Sequence, residues 1–184
     1  MPVAPLPLWG AAIANVGAWA VIHTATGYGA HRLPAARLQR DTWLLRERRW
    51  ERDGALYVGT LRIKRWKDRL PEAGALFAGG VSKRHLPSHD RAGLTRFVCE
   101  TRRAEYGHWA AMAGGPVSVL WNPPIGVALM VGYGIAVNAP FIAVQRSNRI
   151  RAQRLVDRAT ARSSGSIARE APDVAPRSSG NNIP

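Results

Sequence analysis

Residues 109–144 read WAAMAGGPVSVLWNPPIGVALMVGYGIAVNAPFIAV, and none of them carries a charge. A hydrocarbon core about 30 Å thick takes about 20 helical residues to cross. The stretch is therefore too long for one crossing and suits a pair. Its joint is Asn122-Pro123-Pro124, where each proline removes an amide donor and disfavours helix at the residue before it. Residues 125–144 then make one full span. The half before the joint, 109–121, is short and reaches bilayer length only if its helix begins near Ala104, which gives a span over 104–122. A re-entrant segment shielded by neighbouring helices is the alternative.

A second uncharged run, LPLWGAAIANVGAWAVIHTAT at 6–26, fits one more span. It lacks the basic leader of a cleavable signal. The expected fold is an all-α membrane protein with about three transmembrane helices, and with interfacial or cytoplasmic helices and loops between the first and second. Residues 1–155 form a single membrane-embedded domain in this reading, with 27–103 as its cytoplasmic region. Residues 156–184, rich in Ser, Pro, Gly and Asn from Ser163 onward, read as a disordered cytoplasmic tail.

Charge orients these spans. The net charge is +14, and no Lys or Arg precedes Arg32. All 26 basic side chains lie in 27–108 or 145–184. Both blocks belong on the cytoplasmic side under the positive-inside tendency, which takes an even number of crossings between them. A hairpin at 109–144 supplies two, so the N-terminus is expected outside and the C-terminus inside a multi-pass cell-membrane protein. Trp9 and Trp121 then fall near the outer boundary, and Tyr28, Tyr106 and Trp109 near the inner one. The lone cysteine, Cys99, excludes an intramolecular disulfide and a multi-cysteine zinc site, and reads as a buried thiol. Asn15, His23 and Asn138 inside apolar runs read as interhelical hydrogen-bonding groups.

Between the first span and the hairpin, residues 35–52 (AARLQRDTWLLRERRWER) contain no Gly or Pro and predict a helix. Residues 55–63 fit a strand or a loop. In IKRWKDRLPEAG (63–74), Ile63, Trp66 and Leu70 recur at helical spacing among basic residues, which suits either an interfacial helix on anionic headgroups or a solvated helix on a small core. The glycine-rich 74–84 reads as an ordinary turn and lacks the Walker spacing. Residues 91–109 predict a helix running into the membrane.

Chemistry concentrates in Glu100-Thr-Arg-Arg-Ala-Glu-Tyr-Gly-His108. Residues four apart share a helix face, so Glu100 and His108 line one stripe, with Glu105 one turn before His108. A histidine with a carboxylate to orient its ring can act as a general base. An interfacial ion-pair cluster with Arg102 and Arg103 uses the same residues without catalysis. His85 and Asp90 show the His-x4-Asp spacing of glycerolipid acyltransferases and form the fallback pair, although Pro87 between them breaks any helical pairing. A Glu with a His three residues on also occurs in di-metal bundles, but those need a second such pair; no metal and no cofactor is expected. Arg146 and Arg149, with Asn148 between them, suit either snorkelling anchors or an anion site.

Four blocks carry a family resemblance: IKRWKDRLPEAGALFAGGVSK (63–83), RFVCETRRAEYGHW (96–109), VLWNP (119–123) and NAPFIAVQRSNRIR (138–151). In this order the sequence resembles the glycosyl-diaponeurosporenoate acyltransferases, membrane enzymes that place a fatty acyl group on a glycosylated carotenoid. The resemblance spans roughly residues 6–155. It implies an ester formed on a sugar hydroxyl, with a lipophilic acceptor entering from the bilayer and an activated fatty acyl thioester arriving from the cytoplasm. Another glycosylated isoprenoid or glycolipid fits the acceptor role too. The donor's phosphates would meet a basic face including Lys64, Arg65, Trp66, Lys83, Arg102, Arg103, Arg146, Asn148 and Arg149. A nucleic-acid partner is not expected, because the charges flank apolar spans and no recognition module is present. The rival to an enzyme is a non-catalytic membrane scaffold, which needs the basic face but not His108.

Overall fold

The computed structural model describes residues 2–70 and 90–170, with only the backbone described for 162–170. All regular elements among the described residues are helical. The principal helices are α1 (Leu8–His31), α3 (Arg91–Ala113) and α4 (Pro124–Glu170), with a single turn, α2 (Ala35–Leu38), after α1. Asp90 opens α3 by accepting a hydrogen bond from the Gly93 amide at 3.0 Å, as an N-cap does. Arg103 closes α1: its Nη1 donates to the carbonyls of Ala30, His31 and Leu33 at 2.7–3.0 Å. A cation at a helix C-terminus also meets the negative end of the dipole.

Helices α3 and α4 form an antiparallel hairpin, joined by a 3₁₀ stretch (Gly115–Leu120) and the Asn122-Pro123-Pro124 corner. Helix α1 lies against its apolar end. Small residues permit the close approach. A Cβ on Gly115 would come within 3.2–3.3 Å of the backbone of Met130 and Val131, and one on Gly134 would collide with the Trp19 indole at 2.8 Å. At the hairpin tip, Asn15 Oδ1 accepts from Trp121 Nε1 (2.8 Å) and Asn122 Nδ2 (2.7 Å). Asn15 thus ties α1 to the hairpin corner by hydrogen bonds.

Helix α1 and the segment Pro124–Ala161 of α4 are long and apolar enough to cross a membrane. Their outward faces carry Leu8, Trp9, Ile13, Val16, Ile125, Leu129 and Ile135, all exposed. Helix α3 is not a third such helix. Charged residues occupy its middle, and its helical run stops at Ala113, so the expected continuous helix over 104–122 is instead the end of α3 plus a 3₁₀ stretch. The first long helix covers Leu8–His31 and so starts and ends later than the expected span over 6–26. The last helix does not stop near 144 or at the 155 boundary but continues through Glu170, into the region expected to be disordered; 171–184 lies outside the described residues.

The segment between α1 and α3 differs most from expectation. In place of one helix over 35–52 there is α2, then turns, then a 3₁₀ stretch at Arg49–Gly54. The reason is visible in the carbonyls: those of Leu38, Leu44, Leu45 and Arg46 turn outward to accept from arginines on α3 and α4. Residues 55–63 form neither strand nor loop but a π-type turn (Leu56–Thr60), and 63–69 form two 3₁₀ turns. Tyr57, Ile63 and Ile150 make a small core against Leu56, Trp66, Ala143 and Val144. Residues 71–89, with the glycine-rich stretch, lie outside the described residues.

Candidate active site

Two layers of polar side chains cross the α3–α4 seam. The first is ionic. Arg146 uses all five of its N–H donors: Nε and Nη2 grip the Glu51 carboxylate at 2.7 and 2.9 Å, and Nη1 reaches Glu105 at 2.8 Å. The remaining two meet the carbonyls of Leu44 and Arg46 at 3.2 and 2.9 Å. Glu51 and Glu105 are completely buried, so these contacts compensate a desolvation that would otherwise be prohibitive. Burial alone would raise the Glu51 carboxyl; hydrogen bonds from Arg146, Tyr57 and the Arg48 amide overturn this and hold it below the usual carboxylate value. Arg149 bonds Asp41 at 2.6 Å and lies 3.1 Å from Glu105 Oε2, out of line for a hydrogen bond. Arg102 joins Asp41 (2.7 Å), the Leu38 carbonyl (2.8 Å) and Gln153 (3.2 Å).

The second layer is neutral. His108 Nδ1 lies 3.1 Å from Asn138 Oδ1, and the His108 ring stacks on Phe141 with centroids 4.8 Å apart. The Asn138 amide group donates from Nδ2 to the Gly134 carbonyl at 2.9 Å. That bond fixes which end of the amide faces the histidine, since Nδ2 cannot accept and the carbonyl cannot donate. Asn138 therefore presents an acceptor and Nδ1 carries the proton, so that in its neutral form the ring keeps its lone pair on Nε2. Asn138 is 1% exposed, so its amide makes these bonds away from water.

Several expected roles change accordingly. The ring of His108 is oriented by Asn138, not by Glu105 or Glu100: Glu105 is bound by Arg146, Arg149 and Trp109, and Glu100 pairs with Arg103 at 3.3 Å. Arg102, Arg146 and Arg149 spend their donors mostly on carboxylates and carbonyls of this chain, and Arg103 caps α1 through Nη1. Asn148 is half-buried, and its Nδ2, like Gln145 Oε1 three residues before it, is buried without a hydrogen-bond partner. Lys64 and Arg65 are exposed, whereas Trp66 is half-buried and donates to the Leu61 carbonyl at 2.9 Å. Asp90 caps α3. His85 and Lys83 lie outside the described residues. Cys99 is half-buried rather than buried, with Sγ 3.4 Å from the Leu38 carbonyl.

The sequence profile of the glycosyl-4,4'-diaponeurosporenoate acyltransferases matches residues 41–158. The chain belongs to this acyltransferase family. A relative of that description from Staphylococcus haemolyticus (strain JCSC1435) is 35% identical over 103 residues, covering 55% of this chain and 59% of the relative. The match therefore spans somewhat over half the length of that protein. Another from Staphylococcus aureus (strain USA300) is 24% identical over 140 residues, covering 75% of this chain and 83% of the relative. No solved structure matches.

The region shared with the acyltransferase family opens at Asp41 and closes at Arg158. It contains both polar layers and leaves out α1. Asn138 and Phe141 are the partners of His108 that spacing within one helix does not reveal. A signal for Asn138 exists nonetheless: His108 and Asn138 stand fifteen residues either side of Pro123, so closing the hairpin at that proline brings them level.

Proposed function

We propose that the chain is a membrane O-acyltransferase that esterifies a sugar hydroxyl of a glycosylated carotenoid, with His108 as general base. The family supports the reaction and the acceptor, and the Nε2 lone pair fixed by Asn138 supports the base. In the proposed step Nε2 removes the hydroxyl proton as that oxygen attacks the acyl carbonyl. The carbon–sulfur bond of the fatty acyl thioester then breaks, and the imidazolium returns the proton to the departing thiolate. Exposed Lys64 and Arg65, with Lys83, would meet the donor's phosphates. In this reading the chain crosses three times, with the N-terminus outside, through α1, the end of α3 with the 3₁₀ stretch, and the first twenty residues of α4, and this chemistry would lie at the inner headgroup level. Residues 1–155 are the catalytic unit.

The decisive experiment compares His108→Ala with the parent protein in isolated membranes, at matched protein levels, by mass spectrometry of the ester product. Removing a general base should lower turnover by roughly 10²–10⁴. Near-normal turnover overturns the assignment. If His108→Ala is active and His85→Ala is not, the fallback base takes its place. Full activity of neither parent nor variants, despite intact protein, favours the scaffold.

A further inference from the structure

We propose that residues 43–62 form a collar seated on anionic lipid headgroups, with Trp43, Trp50, Val58 and Leu61 entering the upper acyl layer. This rests on the reading of α1 and α4 as membrane spans. Depth is the first argument. Twenty residues of α4 counted from Pro124 rise about 30 Å and reach Ala143, so the bilayer boundary falls at Val144–Gln145. The collar is tied to α4 at that level. Glu51 and the carbonyls of Leu44, Leu45 and Arg46 bind Arg146 and Arg149, and Tyr57 packs with Ile150, Ala143 and Val144. A segment held there meets the headgroup layer whatever its own preference.

Its exposed side chains suit that layer. Trp43 is 73% exposed and Trp50 62%, with Val58 and Leu61 also exposed. Indoles rarely face water to this extent in soluble domains, and they concentrate at membrane interfaces, where one edge is wet and the body apolar. The Arg48 guanidinium lies 4.7 Å above the Trp43 ring. Exposed Arg46, Arg49, Arg52 and Arg62 surround these residues, as headgroup phosphates require. Of the exposed acids nearby, Asp53 is already paired with Arg154. Because the collar is pinned by the buried Glu51–Arg146 pair, it would fix the depth of His108, which sits about one turn nearer the apolar end.

The test uses the full chain with Cys99→Ser, reconstituted in vesicles of phosphatidylcholine with or without phosphatidylglycerol. A single cysteine replaces Trp43, Trp50 or, as an aqueous control, exposed Arg158, and carries an NBD fluorophore. The expected result is blue-shifted emission at 43 and 50, quenched by lipids with a shallow nitroxide and stronger with phosphatidylglycerol, while 158 stays aqueous. Spectra at 43 and 50 matching that of 158 in both vesicles would overturn the collar. A blue shift that nitroxide lipids do not quench would overturn it too, by placing the residues against protein. Alkaline carbonate extraction separates the layers of the claim: protein that resists stripping with aqueous probes sinks the collar alone, whereas stripped protein sinks the span reading and the collar with it.

Discussion

Two levels of one helix seam, barely a turn apart, solve opposite problems. At the Glu105 level every formal charge has a counter-charge, and Arg146 has no donor left over. At the His108 level the partners among the described residues include a neutral amide and a phenyl ring. The difference separates holding from reacting. A carboxylate committed to two arginines cannot also direct a histidine, and a guanidinium enclosed by carboxylates is no longer an anion site. An amide locked by its own helix orients an imidazole without adding charge. Proximity in sequence places Glu105 and His108 in one motif, yet the fold assigns them to different layers.

The largest effect that can break this contrast is Arg146→Ala. It leaves Glu51 buried without a counter-charge and Glu105 with Arg149 alone, which costs about 3–5 kcal/mol. The expected outcome is loss of folded protein, read as membrane protein level and thermal midpoint in detergent. Arg146→Lys keeps the charge but not the bidentate grip and should fall between. Normal folding with a raised donor constant in Arg146→Ala would instead return Arg146 to the phosphate-binding role its sequence position suggests. His108→Ala sharpens the contrast from the other side, with turnover down by roughly 10²–10⁴ and the thermal midpoint unchanged.

Asn138→Ala probes the boundary between the layers. It frees the His108 ring without removing it, so turnover should fall by less than in His108→Ala. The imidazole tautomer, followed by ¹⁵N NMR of labelled histidine, should shift from protonated Nδ1 toward a mixture. A turnover loss with the tautomer unchanged would show that Asn138 serves packing alone.

What could be read in the sequence follows from where the determinants lie. The hairpin was legible because an uncharged run and a double proline are local features, and so was helix 91–109. The helix expected over 35–52 failed because its local propensity is overridden by distant arginines: Arg102, Arg146 and Arg149 draw its carbonyls out of helical bonding. His108 stood out by composition. Its partner did not, because Asn138 is thirty residues away and the pairing depends on the register of two helices. The same gap hid the fate of Glu105, whose arginines lie 41 and 44 positions downstream.

The smallest expected effect tests how completely the ionic layer is satisfied. Tyr57 is buried and donates its hydroxyl to Glu51 Oε1, which also accepts from Arg146. Tyr57→Phe removes one of several donors and should cost about 1 kcal/mol, far below Arg146→Ala. Its signature is the pH profile. The Glu51 carboxyl is held below its ordinary 4.5, so its contribution to stability is present above 4.5 and is lost as pH falls through the lowered folded value. The Tyr57 hydroxyl is pushed up, first by burial and then by Glu51. Its contribution is present below its ordinary value of 10.0 and is lost as pH rises through the folded value. The phenylalanine variant should therefore show a smaller acid limb that ends at a higher pH than in the parent, because Glu51 has one donor fewer and its folded value is lowered less, and should lose the alkaline limb. Thermal midpoints measured across pH in detergent check both limbs. Unchanged acid and alkaline limbs would mean that Arg146 and the Arg48 amide satisfy Glu51 without the phenol.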